Sequence, residues 1–137
     1  MNYWLIKSEP KTYSFADLQK HGTDYWDGVR NYQARNNMRD MKKNDKVLFY
    51  HSGKSREVVG LCTVARTAYQ DPTTEDDRWV AVDFKAGKIL KRPVSLKEIK
   101  AESTLKDIAL IRNSRLSVMP LTREHYDAVL KLSETAP

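Results

Sequence analysis

From Trp26 to Arg39 the sequence reads Trp-Asp-Gly-Val-Arg-Asn-Tyr-Gln-Ala-Arg-Asn-Asn-Met-Arg, and no acid falls between Arg30 and Arg39. That mixture suits a surface that handles nucleotides. A guanidinium forks onto phosphate or stacks on a base, a side-chain amide matches a base edge, and an indole or phenol covers a base face. Residue by residue the plainer reading has equal weight, with Trp26 in the core and the arginines solvating a helix face. Taken as a segment, the run favours binding an anion or a base.

Three further clusters sit where strands end. Lys7-Ser8-Glu9-Pro10 closes the first strand, His51-Ser52 closes another, and Arg112-Asn113-Ser114-Arg115-Leu116-Ser117 leads into the last. Strand ends commonly carry binding groups, although each cluster also reads as ordinary turn chemistry. His51 and Ser52, with Asp27, Asp45 or Asp83, are the raw material of a hydrolase triad. No glycine-flanked nucleophile elbow surrounds Ser52, which argues against it. His21, His51 and His125 have no ligand spacing, so neither a metal nor a cofactor is expected.

These groups must be positioned by a mixture of strands and short helices. A strand is expected over residues 2–7, stopped by Pro10, and then a short helix with Ser14 as N-cap, Asp17 three residues on and Gly22 as its stop. Helical period covers Asn31 to Met41, with Ala34, Met38 and Met41 on one stripe and Asn31, Arg35 and Arg39 on another. Lys46–His51 and Val58–Ala68 read as a hairpin, and Trp79–Lys85 as a strand ended by a turn at Ala86-Gly87. Ser95 and Glu98 form a capping box for residues 96–100, and a weaker helical piece covers 105–111. Arg115–Met119 reads as the last strand. A final helix starts at Thr122, with Leu121 and Tyr126 in staple positions. The absence of a regular βαβ rhythm, of repeats and of a linker predicts one α+β domain over residues 1–137, built on a strongly curved, mixed, barrel-like sheet with flanking helices.

Bulk composition fits that picture. A chain of 137 residues with 40% hydrophobic and 31% charged residues is balanced for a globular fold with one core. Cys62 is the single cysteine, set in an apolar run, so an internal disulfide is excluded and a buried thiol expected. Tyr3-Trp4-Leu5-Ile6 is too short for a membrane span and has no basic segment before it, which leads to the expectation of a cytoplasmic protein without a membrane partner. The net charge of +6 favours a polyanionic partner. A protein-interaction module presenting a basic face to an acidic partner satisfies the same charge.

Lys7-Ser8-Glu9-Pro10, the Trp26–Asn36 run, Phe49-Tyr50-His51-Ser52 and Arg115-Leu116-Ser117-Val118-Met119-Pro120, in that order, resemble the signature blocks of the EVE domain family. The resemblance spans essentially the whole chain. It implies a PUA-like fold, kin to the YTH domains that read methylated adenine in RNA. It also implies a pocket for a modified base, such as methylated or hydroxymethylated cytosine, in DNA or RNA, and binding rather than turnover. Related EVE domains are fused to nucleases, so an effector protein is a further partner to consider. Carried over by residue, Trp26 is a wall of the base pocket and Ser8, Asn31, His51 and Ser52 supply polar contacts. Arg30 and Arg35 face phosphates, joined by Lys7, Arg39 and Arg115. The second aromatic wall is left open among Tyr32, Tyr50 and Trp79, with Tyr32 placed in the pocket set.

Overall fold

The computed structural model describes residues 1–136. One six-stranded mixed sheet carries the fold, in the order β2-β5-β4-β3-β1-β6, with strands β1 (Tyr3–Ser8), β2 (Thr23–Trp26), β3 (Lys46–His51), β4 (Glu57–Gln70), β5 (Val80–Ser95) and β6 (Val118–Leu121). It is curved but open, with β2 and β6 as its edges. The expected α+β class holds, while the barrel does not close. Among the described residues only β1 and β3 run parallel; every other neighbouring pair is antiparallel.

Three of the five helices among the described residues start where their caps place them. Helices α1 (Phe15–His21), α3 (Leu96–Ala101) and α5 (Arg123–Leu132) each open with a reciprocal capping box, from Ser14, Ser95 and Thr122 respectively. A cap of this kind satisfies two of the backbone N–H groups that a helix start leaves without partners. Helix α2 (Tyr32–Asp40) is capped by Asn31, and α4 (Ala109–Arg112) is a single turn. The weaker helix expected over 105–111 therefore shrinks and shifts towards its C-terminal end. The last strand starts three residues later and ends two later than expected, because Val118–Leu121 is the stretch that pairs with Tyr3–Ile6 of β1.

Two strand features differ from the sequence reading. Residues 23–26 form β2, which had no separate strand signal, and the chain runs straight through Ala86-Gly87 instead of turning. Strand β5 is 16 residues long and pairs with the 14-residue β4 through several register shifts, which bend the pair sharply. At Gly87 a Cβ would lie 2.8 Å from the carbonyl oxygen of Leu61, so this glycine permits close backbone approach across the bent pair.

The core lies between this sheet and the helices and includes Leu5, Ile6, Phe15, Leu18, Phe49 and Phe84. Asp45 is buried at the start of β3, where it accepts hydrogen bonds from the Asn2 N–H, the Trp4 indole and the Lys42 N–H. It thereby ties β1 to β3 at one end of the pair. Phe15 presses on β4 at Gly60, where an added Cβ would sit 2.4 Å from its ring. Gly60→Ala is expected to lower stability by about 1–3 kcal/mol through overpacking, read as a lower urea midpoint at unchanged m-value.

Candidate nucleic-acid interface

Parallel pairing of β1 and β3 aligns Ser8 with His51 at the shared C-terminal end of the two strands. Both side chains then hold the segment that follows β1. Ser8 Oγ donates to the Tyr13 carbonyl, and His51 Nε2 accepts from the Phe15 N–H at 3.0 Å. The start of α1 is thus fastened to the strand ends. His51 uses its lone pair in this bond, and burial lowers its pKa below the usual histidine value despite the opposing pull of Glu57 and Glu9.

From α1 the chain turns into β2, whose pairing with β5 sets Trp26 across from Val82. The half-buried Trp26 ring meets Tyr13, Phe49 and Phe84 edge-to-face at 5.6, 5.7 and 5.8 Å. Asp24 accepts from the Tyr13 hydroxyl at 2.6 Å and from the Tyr25 N–H at 2.8 Å. Burial and then the Asp24 carboxylate raise the Tyr13 pKa, so its phenol stays protonated.

These groups enclose an open cavity of about 520 Å³ lined by Lys7, Ser8, Glu9, Thr12 and Tyr13 from one side and by Asp24, Tyr25, Trp26 and Asp27 from the other. Its size falls in the usual range for a small-molecule site. Aromatic groups supply faces for stacking, and three carboxylates against one ammonium make the lining acidic. Such a cavity suits a flat group carrying N–H donors better than it suits a phosphate.

The structure divides the expected site residues. Ser8, Trp26 and Lys7 line the cavity, whereas Asn31 and Tyr32 do not. Asn31 spends its side-chain oxygen on the Ala34 N–H as the cap of α2. Tyr32 is exposed on α2, tilted against Trp79 at 5.1 Å with the Arg35 guanidinium 4.9 Å from its ring. His51 is not in the lining; it holds the start of α1 through the Phe15 N–H. Ser52 lines a neighbouring cavity together with Lys7 and Tyr50. None of the three candidates for the second aromatic wall is in the cavity; Tyr13 and Tyr25 are.

The phosphate-facing set also splits. Arg30 donates to the buried Asp71 at 2.9 Å. Burial would raise the Asp71 pKa, but hydrogen bonds from Thr73, the Gly28 N–H and Arg30 outweigh it and hold the carboxylate at about 2. Arg35 is bound to the Arg78 carbonyl and to Asn36. Arg39 and Arg115 are exposed and form no ion pair among the described residues. A triad is not assembled either. His51 is occupied by Phe15, Asp83 accepts from Tyr69, and Asp45 lies at the opposite end of β3. Asp27 lines the cavity that Ser52 does not reach.

Residues 2–132 match the model of the EVE domain. The chain belongs to the EVE domain family. This EVE domain is 39% identical to mouse thymocyte nuclear protein 1, in an alignment covering 99% of this chain and 75% of the relative. Its fold superimposes on the crystal structure of an Agrobacterium tumefaciens protein with a TM-score of 0.97 at 44% identity, covering 99% of this chain and 95% of the other. It also superimposes on human THYN1 protein in complex with 5-methylcytosine-containing DNA, with a TM-score of 0.90 at 36% identity over the whole of both chains. No helix among the described residues is long and apolar enough to cross a membrane.

The His51 arrangement predicts a pH dependence. Because its pKa is lowered on folding, its contribution to stability is complete above the unfolded value of 6.5 and is lost as pH falls towards its folded value. Denaturation midpoints should therefore drop below pH 6.5. In His51→Gln, whose side-chain oxygen can still accept from Phe15, that portion of the drop should disappear.

Proposed function

We propose that this EVE domain binds DNA and takes up one extruded, modified cytosine, methylated or hydroxymethylated, in the cavity between β1, α1 and β2. The observation that carries the reading is the combination of Trp26, Tyr13 and Tyr25 with the carboxylates of Glu9, Asp24 and Asp27 around one open cavity. The likeness to human THYN1 protein solved with 5-methylcytosine-containing DNA supports it.

The physical terms match. Extruding a base costs a few kcal/mol, and stacking on an aromatic wall returns about 1–3 kcal/mol. The exocyclic amine of cytosine is a donor that a carboxylate accepts well, and hydrogen bonds to charged groups contribute about 1.5–3 kcal/mol. Burying a methyl group adds only about 0.8 kcal/mol, so selection for the modified base needs a close apolar corner, which the Trp26 and Tyr13 rings can form. In this reading Ser8 and His51 act on the cavity's shape. They hold Tyr13 and α1 in place.

The test is a titration against matched DNA and RNA oligonucleotides bearing cytosine, methylcytosine, hydroxymethylcytosine, adenine or methyladenine. Tighter binding of one modified-cytosine DNA supports the reading. Equal binding to all reduces the protein to a general nucleic-acid binder, a methyladenine or RNA preference names a different ligand, and no binding favours an acidic protein partner. Tyr25→Ala, at an exposed position, should weaken binding of the preferred oligonucleotide about tenfold. Trp26→Ala should abolish discrimination while leaving salt-sensitive background binding. Because Trp26 also packs on Phe49 and Phe84, its thermal unfolding is recorded alongside and Trp26→Phe serves as the milder variant.

A further inference from the structure

The acidic base cavity leaves open where the phosphates run, and Arg30 and Arg35 are already engaged with Asp71, Asn36 and the Arg78 carbonyl, which leaves Arg39 as the one exposed arginine of α2 without an ion pair among the described residues. Arg78 itself is forked onto Asp76. The opposite side of Lys7 is different in character. A cavity of about 370 Å³ shares Lys7 with the base cavity and adds Ser52, Arg56 and Ser114. Beyond it, sharing Arg56 and Leu96, lies another of about 380 Å³ that adds Ser55, Lys97 and Lys100. Neither has an acidic side chain in its lining, and among the described residues none of Lys7, Arg56, Lys97 and Lys100 is in an ion pair.

The groove is held in shape by its own backbone. Lys7 Nζ is anchored by the Ser114 carbonyl at 2.7 Å, at the junction of the base cavity with the groove. Arg56 adopts φ of 46°, a left-handed conformation uncommon for a residue with a side chain, and its carbonyl accepts from the Leu96 N–H at the start of α3. Lys97 and Lys100 are three residues apart in α3 and so neighbour one another on its surface. Four cations and three serine hydroxyls along one continuous path are the donor set for a polyanionic backbone.

We propose that the DNA strand carrying the extruded base continues from the cavity along this groove. One phosphate lies at Lys7, and the following phosphates lie against Arg56, Lys97 and Lys100. The proposal rests on the base-cavity reading for the position of the extruded nucleotide, while the groove's own contribution is electrostatic. A protein that neutralises phosphates releases counterions, and the slope of log affinity against log salt changes by about 0.9 for each contact.

The experiment compares wild type, the Lys97→Gln/Lys100→Gln pair and a control pair, Lys43→Gln/Lys131→Gln, which removes the same charge elsewhere. Each is titrated with methylcytosine and cytosine duplexes at several salt concentrations, and its thermal unfolding is recorded. The groove pair is expected to flatten the salt slope by about 2, weakening both duplexes by the same factor and leaving the methylcytosine-to-cytosine ratio at the wild-type value. An unchanged slope, or equal flattening in the control pair, overturns the groove. A flattened slope in a protein that never discriminated methylcytosine keeps the groove and retires the base reading instead.

Discussion

The parallel pairing of β1 with β3 is the constraint on which the rest of the molecule depends. Two neighbouring strands that run the same way cannot be joined by a tight turn, so the chain between them must cross back over the sheet. Here that crossover contains α1, β2 and α2, and it carries Tyr13, Asp24, Tyr25 and Trp26 to the end where both strands finish. Asp45 locks the pair at one end, and the Ser8 and His51 side chains fasten the returning chain at the other. The cavity is therefore a consequence of the topology.

Electrostatics divides the surface around this frame in a way that the net charge of +6 conceals. Around the cavity the carboxylates of Glu9, Asp24 and Asp27 outnumber the single ammonium of Lys7. On the α2 side, Arg30 and Arg78 are neutralised by Asp71 and Asp76, and their guanidinium groups lie 5.5 and 5.9 Å from the Trp79 ring. That cluster ties α2 to the loop before β5. Among the described residues, Arg56, Lys97 and Lys100 have no such partners, so their field reaches solvent. A positive balance in composition thus resolves into a neutralised structural cluster and an unneutralised groove.

Much of this was legible in the sequence, and the features that were not share a physical cause. Ser14, Ser95 and Thr122 announce their helices because capping is local chemistry, decided within three or four residues. The α2 stripe of Ala34 and Met38 and the hairpin of β3 with β4 follow from periodicity, and the ordered signature blocks carried the family. Partners distant along the chain were hidden. Nothing near Arg30 announces Asp71, 41 residues away, and nothing near His51 announces the Phe15 N–H, 36 residues away. Strand β2 has four residues and exists through its pairing with β5. Gly87 looked like a turn because close backbone approach and reversal call for the same residue. Tyr13 and Tyr25 carry no sequence signal because a loop residue and a four-residue strand have no period to display, although Asp24 and Trp26, two apart on one face of β2, are a trace of one.

The most direct measurement of the central claim is an amide and indole NMR titration of the folded protein with a short methylcytosine duplex and its cytosine counterpart. Binding in the cavity predicts that the Trp26 indole N–H and the amides of Ser8, Tyr13, Asp24 and Tyr25 shift with the methylated duplex and shift less with the other, while the Trp79 indole N–H stays in place. Modification-dependent shifts confined to Tyr32, Trp79 and α2, with Trp26 unmoved, would contradict it and move base recognition to the arginine–aromatic cluster.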